Sequence, residues 1–243
     1  MVGLGTLVNA GAIVAGALLG ILIKGALHDR FRDTTMQAIG LSVVLIGISG
    51  ALQGVFSVGT DGTLVRDGLL LATLSLVLGG ILGEWIDIER RLESLGNGFQ
   101  KRLSGRGGGT FTEGFVTASL VYCVGAMAIV GSFEDGLSAN PATLITKAVL
   151  DGVSAIVFAS TLGIGVAFSA IPVLLYQGAV TLLAKAVSPY LPPAVILQLS
   201  LVGGVLILAI GWNLLGGKRI KVGNLLPALA VPVLWRLVQG LAG

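Results

Sequence analysis

"TKAVLDGVSAIVFASTLGIGVAFSAIPVLLYQGAVTLLAK", residues 146–185, decides the fold. From Ala148 to Ala184 it runs 37 residues on apolar and small side chains with one formal charge, Asp151, and a lysine, Lys147, one helical turn before it. A helix needs about 20 predominantly apolar residues to cross a hydrocarbon core about 30 Å thick. The stretch is long enough for two crossings, and "STLGIG" at its middle predicts a tight glycine hairpin between them. An aspartate inside such a segment calls for a physical reason.

The rest of the chain has the same character. Of its residues 54% are hydrophobic and only 11% charged, with a mean hydropathy of +0.96, whereas soluble domains carry about 25% charged residues. This is the composition of an integral membrane protein. Its 38 glycines let helix backbones approach closely in lipid and imply a tightly packed bundle. Eight windows are long and apolar enough to span: residues 4–24, 37–57, 67–86, 112–132, 142–160, 163–185, 195–215 and 222–241. The fold class is an all-α polytopic bundle of about eight spans; a seven-span reading, with one window re-entrant, stays open. The first window lacks a basic n-region and exceeds a signal h-region in length, so it reads as a span rather than a cleaved leader.

Basic residues set the orientation. Lys24, Arg30 and Arg32 follow span one; Arg90, Arg91, Lys101, Arg102 and Arg106 follow span three; Lys218, Arg219 and Lys221 follow span seven. The positive-inside rule places these loops in the cytoplasm and both termini outside. Within the second of them Ile88, Leu92, Leu95, Phe99 and Leu103 recur every three or four residues against a charged face. Residues 88–105 are therefore expected to form an amphipathic interfacial helix. The glycine-rich linker 104–110 follows, joining two halves of a single membrane domain, residues 1–243. An offset of 164 places Gly40 and Gly47 of span two on Gly204 and Gly211 of span seven, and Ser49 on Asn213. With the opposite directions given by the charges, spans one to three and six to eight read as an inverted repeat, a pattern transporters use around a central site.

Candidate chemistry centres on Asp151. A charged aspartate at mid-helix costs about 3 kcal/mol on insertion scales, so it must face the bundle, water or a partner. Lys147 can pair with it at i, i+4, and Ser154 extends the same face. One reading is an ion or proton site; the other is a structural ion pair with Lys147 snorkelling outward. Glu134 and Asp135, where span four ends, are candidates for an acidic outer mouth, although acidic residues in an outer loop need no function. Prolines at 172, 227 and 232 free backbone carbonyls near Gln177 and Asn224. With Asn9 and Asn213 these amides are candidate neutral ligands, or else ordinary interhelical glue. Glu84, Asp87 and Glu113 flank the cytoplasmic interface as a gate or a solvated face. The ladders Ala12/Gly16/Gly20 and Ser75/Gly79/Gly83 are packing faces, which could also serve a homo-oligomer.

Several classes are excluded. A single Cys123 leaves no internal disulfide, and one histidine, His28, no histidine-rich metal site. Cys123 and Met127, at i, i+4, are too few for a soft-metal site. No nucleic-acid module, cofactor motif, HExxH, GxSxG with a histidine partner, or phosphate-binding GxxxxGK occurs. No enzyme is expected.

The segments "GTLVNAGAIVAGALLGILIKG", "YCVGAMAIVGSFEDGL", "KAVLDGVSAIVFASTLGIGVAFSAIPVLLYQG" and "GWNLLGGKRIKVGNLLPAL" resemble the YqgA/YdfK-like family of bacterial inner-membrane proteins, a domain-of-unknown-function family. The resemblance covers essentially the whole chain. It implies a multi-pass inner-membrane protein with no assigned substrate or site. The functional expectation is a secondary transporter or channel-like permease for a small ion or solute, a cation favoured. The alternative is a membrane scaffold or regulator that recruits a partner through its amphipathic helix.

Overall fold

The computed structural model describes residues 1–24, 29–58, 63–66, 68–104, 110–124, 126–187 and 191–242. His28, Arg106 and nearly all of the glycine-rich linker lie outside these. Backbone polar groups have no water to bond in hydrocarbon, so a spanning segment must satisfy them internally. The described chain is accordingly almost all helix: α1 (Leu4–Lys24), α2 (Asp29–Val55), α3 (Leu69–Ile86), α4 (Ile88–Ser104), α5 (Thr110–Cys123), α6 (Ala126–Ser138), α7 (Ala142–Leu162), α8 (Gly165–Phe168), α9 (Ala170–Leu182), α10 (Ala184–Val187), α11 (Pro193–Leu214), α12 (Val222–Leu225) and α13 (Ala230–Ala242). A short 3-10 segment, Leu226–Leu229, joins the last two. The exception is an antiparallel hairpin after α2, β1 (Phe56–Val58) against β2 (Leu64–Arg66), with Phe56 opposite Arg66. Large apolar side chains point outward along the spans, Leu22, Leu45, Leu70, Trp85, Leu175 and Leu182 among them, as lipid-facing surface requires.

The glycine hairpin forms where expected. Gly163 ends α7 at φ +81, a left-handed value that glycine reaches without penalty, and its N–H closes on the Ala159 carbonyl at 3.0 Å. A Cβ at Gly165 would run into the Phe111 carbonyl, so this glycine is what lets the turn seat against α5. The break in span six comes at Ser169, between α8 and α9, three residues before the expected kink at Pro172. Proline has no N–H for the carbonyl four residues back and its ring crowds that carbonyl. The distortion therefore shows at Phe168 rather than at the proline. Pro227 similarly splits span eight into α12, the 3-10 segment and α13.

Span four departs furthest from expectation. The window 112–132 is two helices, α5 and α6, bent by 60° at their junction, and α6 continues to Ser138. Glu134 and Asp135 thus lie within a helix instead of a loop.

Among the described residues seven helices are long and apolar enough to cross a membrane, with the bent α5–α6 pair as an eighth candidate. Glycine contacts give the relative direction of two helix pairs. A Cβ at Gly5 would meet Leu144, at Gly16 the Gly152 carbonyl, and at Gly20 the Ile156 carbonyl. Both sequences ascend, so α1 and α7 run parallel. In contrast Gly40 meets Leu215, Gly47 meets Leu208 and Gly54 meets Leu197, so α2 and α11 run antiparallel. The start of α5 lies by the end of α7, where a Cβ at Gly114 would meet Leu162, and α6 reaches the start of α7, where one at Gly131 would meet Leu144. Counted as one span, the bent pair brings the candidates to eight. Below, the "basic end" is where α1 finishes and Arg219 and Lys221 lie; the "opposite end" is where α1 starts.

The small-residue ladders are occupied inside the chain. Ala12, Gly16 and Gly20 face α7, while Gly79 and Gly83 receive Ala228 and Asn224 from the broken last span. Between these pairs Ile13, Tyr122, Phe158, Val166, Val173, Leu206 and Val222 form the main core.

Candidate functional site

Glycine at 152, next to Asp151, admits the backbone of α1 so closely that a Cβ there would sit 3.2 Å from the Ala12 carbonyl oxygen. The approach brings Asn9 of α1 to the face of α7 that carries Asp151. Asn9 Nδ2 donates to Asp151 Oδ2 at 3.0 Å and to Gln177 Oε1 of α9 at 3.2 Å. Lys147 pairs with the same Asp151 oxygen from one turn away. Both charged residues are buried, 6% and 7% exposed, and Asn9 and Gln177 are fully enclosed. The Ser154 hydroxyl lies 3.3 Å from the Tyr122 hydroxyl of α5 and 3.0 Å from the Asp151 backbone oxygen. The Tyr122 ring lies 5.8 Å from Lys147 Nζ, within reach of a cation–π attraction. Four spans thus converge on one carboxylate, held by an ammonium and an amide donor.

Five residues singled out in the sequence, Asn9, Lys147, Asp151, Ser154 and Gln177, meet here. Two others do not. Asn213 closes a loop at the basic end, donating to the Ile220 carbonyl and accepting from its N–H, both at 2.8 Å. Asn224 accepts from the Glu89 N–H at 2.7 Å and donates to Glu84 at 2.6 Å. The pair expected as an outer mouth is not an open acidic surface. Glu134 is half-buried and accepts from Thr143 at 2.6 Å, and Asp135 is fully buried, accepting from the Gly5 N–H at 3.0 Å. That bond satisfies one of the first four amides of α1, which have no partner in their own helix. Cys123 and Met127 fall on opposite sides of the α5–α6 bend. Among the described residues no three histidine, cysteine, aspartate or glutamate side chains come together to hold a metal.

Tyr122 is a member the sequence reading missed; Thr6, Ser132 and Thr181, buried hydroxyls of α1, α6 and α9, went unread as well. A trace was present: Thr6 stands at i−3 from Asn9 and Thr181 at i+4 from Gln177, spacings that put each pair on one helix face.

At the basic end a second polar network ties the α3–α4 corner to the α11–α12 connection. Glu89, buried at the start of α4, accepts from the Gly223 N–H at 2.7 Å and from Arg219 at 3.1 Å, while Arg219 also reaches Glu93. The hydrogen bonds that Arg219 donates to Glu93 and then Glu89 hold its pKa above its ordinary value. Lys221 is raised likewise by its 2.5 Å bond to Glu84. Beside this network a cavity of about 590 Å³ opens between α4, α5 and α11, lined by Glu89, Glu93, Glu113, Arg219 and Thr117 and reaching Leu120. Tyr122 is two residues further along α5.

Comparison with known proteins agrees with this picture of a membrane bundle. The chain is 35% identical over 228 residues to the "Uncharacterized membrane protein YdfK" of Bacillus subtilis (strain 168), covering 94% of this chain and 93% of that protein. It is 30% identical over 230 residues to the "Uncharacterized protein YqgA" of Escherichia coli (strain K12), covering 93% of each. No solved structure matches it. A family model described as "Protein of unknown function (DUF554)" matches residues 4–237, and the chain belongs to that family.

Proposed function

We propose that this membrane protein is a secondary transporter or channel-like permease for a small ion or solute, with a cation favoured. The observation that carries the reading is the buried Lys147–Asp151 pair, bridged through Asn9 to Gln177. A charge at this depth is expensive, and apolar residues of similar volume are often as stable as a buried ion pair or more so. Asp151 cannot fully satisfy Lys147 and an incoming cation together. Exchange between them couples binding to a rearrangement of α7 against α1 and α9. Lys147 is the internal competitor, while Ser154, Gln177 and Asn9 supply neutral groups.

The positive-inside rule puts the basic end in the cytoplasm and both termini outside, in a bacterial inner membrane. The cavity beneath α4 is then the inner vestibule, and α5 leads from its lining at Leu120 to Tyr122 beside the pair. The inverted repeat belongs to the same proposal. An offset of 164 carries the contact Gly40–Leu215 onto Gly204–Ala51, and Val44–Gly211 onto Leu208–Gly47, as a local two-fold axis between α2 and α11 would. In proteoliposomes made with protein whose fold is verified by its melting and elution, Asp151→Asn is expected to abolish cation flux and any coupled proton movement. Wild-type flux in that variant ends the mechanism.

One observation favours a second reading. Asp151 already has two partners inside the bundle, as a structural pair in a scaffold would. On that reading removing Arg90, Arg91 and Lys101 from α4 disturbs the cellular role more than Asp151→Asn does. Comparing the two variants for complementation of a deletion strain separates the readings.

A further inference from the structure

The buried side-chain polar atoms without a hydrogen-bond partner among the described residues are Thr6 Oγ1, Asn9 Oδ1, Ser132 Oγ, Asp135 Oδ1, Gln177 Nε2 and Thr181 Oγ1. Every one belongs to α1, α6 or α9. Buried polar groups are normally satisfied, so their concentration on three packed helices has a shared cause. Hydroxyls elsewhere in the bundle settle the point of comparison. Ser75, Ser119, Ser160, Thr161, Ser169 and Ser200 each turn back to a carbonyl three or four residues earlier in the same helix. Thr6, Ser132 and Thr181 make no such bond, although they are 3%, 0% and 2% exposed.

Helix packing brings the segments that carry these atoms together. A Cβ at Gly136 would strike the Thr181 carbonyl, so the part of α6 that carries Ser132 and Asp135 packs against the part of α9 that carries Gln177 and Thr181. α1 runs parallel to α7 and the Gly163 hairpin turns α9 back, so Thr6 and Thr181 lie on the same side of the Asn9–Gln177 bond. Gly5, the neighbour of Thr6, already donates to Asp135 Oδ2. The second carboxylate oxygen, Oδ1, has no partner among the described residues, and neither do the hydroxyls of Thr6, Ser132 and Thr181, which belong to the same end of these three helices, away from the basic loops.

We propose that Asp135 Oδ1, with the hydroxyls of Thr6, Ser132 and Thr181, binds a monovalent alkali cation one helical turn outside the Asp151 cluster. All four donors are oxygens, the ligand type hard cations take. A single carboxylate neutralises one positive charge; a divalent ion would keep an uncompensated charge in a low-dielectric site. Asn9 Oδ1 and Gln177 lie on the inward side and lead to Asp151. The onward route to Asp151 rests on the transport reading; binding at Asp135 does not.

The test is thermal melting of purified protein in detergent, in sodium, potassium or lithium chloride against N-methyl-D-glucamine chloride at equal ionic strength. An alkali cation is expected to raise the melting temperature by about 5 °C at saturating concentration. Asp135→Asn is expected to remove the shift. Because Asp135 also holds the start of α1, Thr181→Val and Ser132→Ala serve as variants that spare that bond. Each is expected to move the half-maximal concentration up about tenfold. Identical melting in all four chlorides, a shift given only by magnesium or calcium, or an unchanged concentration dependence in both hydroxyl variants overturns the proposal. A sodium shift without flux in vesicles keeps the site and removes the transport reading, and flux without a shift does the reverse.

Discussion

Lys147→Ala is expected to destabilise the protein by about 3–5 kcal/mol, because it leaves the Asp151 carboxylate buried with one amide donor in place of an ammonium. Replacing both residues, Lys147→Met with Asp151→Leu, is expected to recover most of that loss. A buried pair and well-packed apolar residues of similar volume often differ little in stability, whereas half a pair is always costly. The double variant retains no charge to desolvate, and Asn9 keeps Gln177 as a partner. Unfolding of wild type, Lys147→Met, Asp151→Leu and the double variant in mixed micelles, read as a double-mutant cycle, gives the coupling between the two side chains. A double variant as unstable as Lys147→Ala would show that packing around α7, not charge, sets the stability of this region.

Gly16→Val is expected to be comparably damaging, at about 3 kcal/mol. The new Cβ would overlap the Gly152 carbonyl oxygen and crowd Ala155. α1 must then move away from α7, since the clash is with backbone and no rotamer relieves it. The same displacement pulls Asn9 from Asp151, two turns along α1. Gly11→Ala on the same helix is the control. Nothing lies within 4 Å of a Cβ there, so the change is expected to be neutral or slightly stabilising through helix propensity. Melting temperatures of the two variants against wild type check both expectations, and equal melting would remove the close-approach account of the α1–α7 pair.

The membrane bundle was legible in the sequence because hydrocarbon thickness imposes a length that apolar windows report directly. The hairpin at Gly163 was legible too, since nothing else in a 37-residue apolar run permits a reversal. The α5–α6 bend was not. "CVGAMA" contains no proline to mark it, and the helices that α6 packs against, α9 and α7, lie later in the chain. The short β1–β2 hairpin falls at the margin of an apolar window and left no alternation to read.

For the site, Asp151 and Lys147 stand out as charges in an apolar run. Asn9, Ser154 and Gln177 could be guessed from type and depth. Asn213 and Asn224 are the same residue type at similar apparent positions, yet they secure loops at the basic end. What separates an amide in the cluster from one that ties a loop is which helices touch, and that contact is set by glycines far along the chain. The burial of Asp135 escaped notice because a carboxylate beside Glu134 looks like a loop pair until α6 is seen to continue through both.

Lys147 and Asp151 share one helix, four residues apart, and this has a consequence for how the chain enters the bilayer during synthesis. Two isolated charges at depth would each carry a penalty of about 3 kcal/mol at insertion. Spaced at i, i+4 they neutralise one another as soon as α7 coils, before α9 has emerged to pack beside them. The helix can leave the translocon as a nearly neutral rod and keep its aspartate deep in the bundle without waiting for a partner from another span.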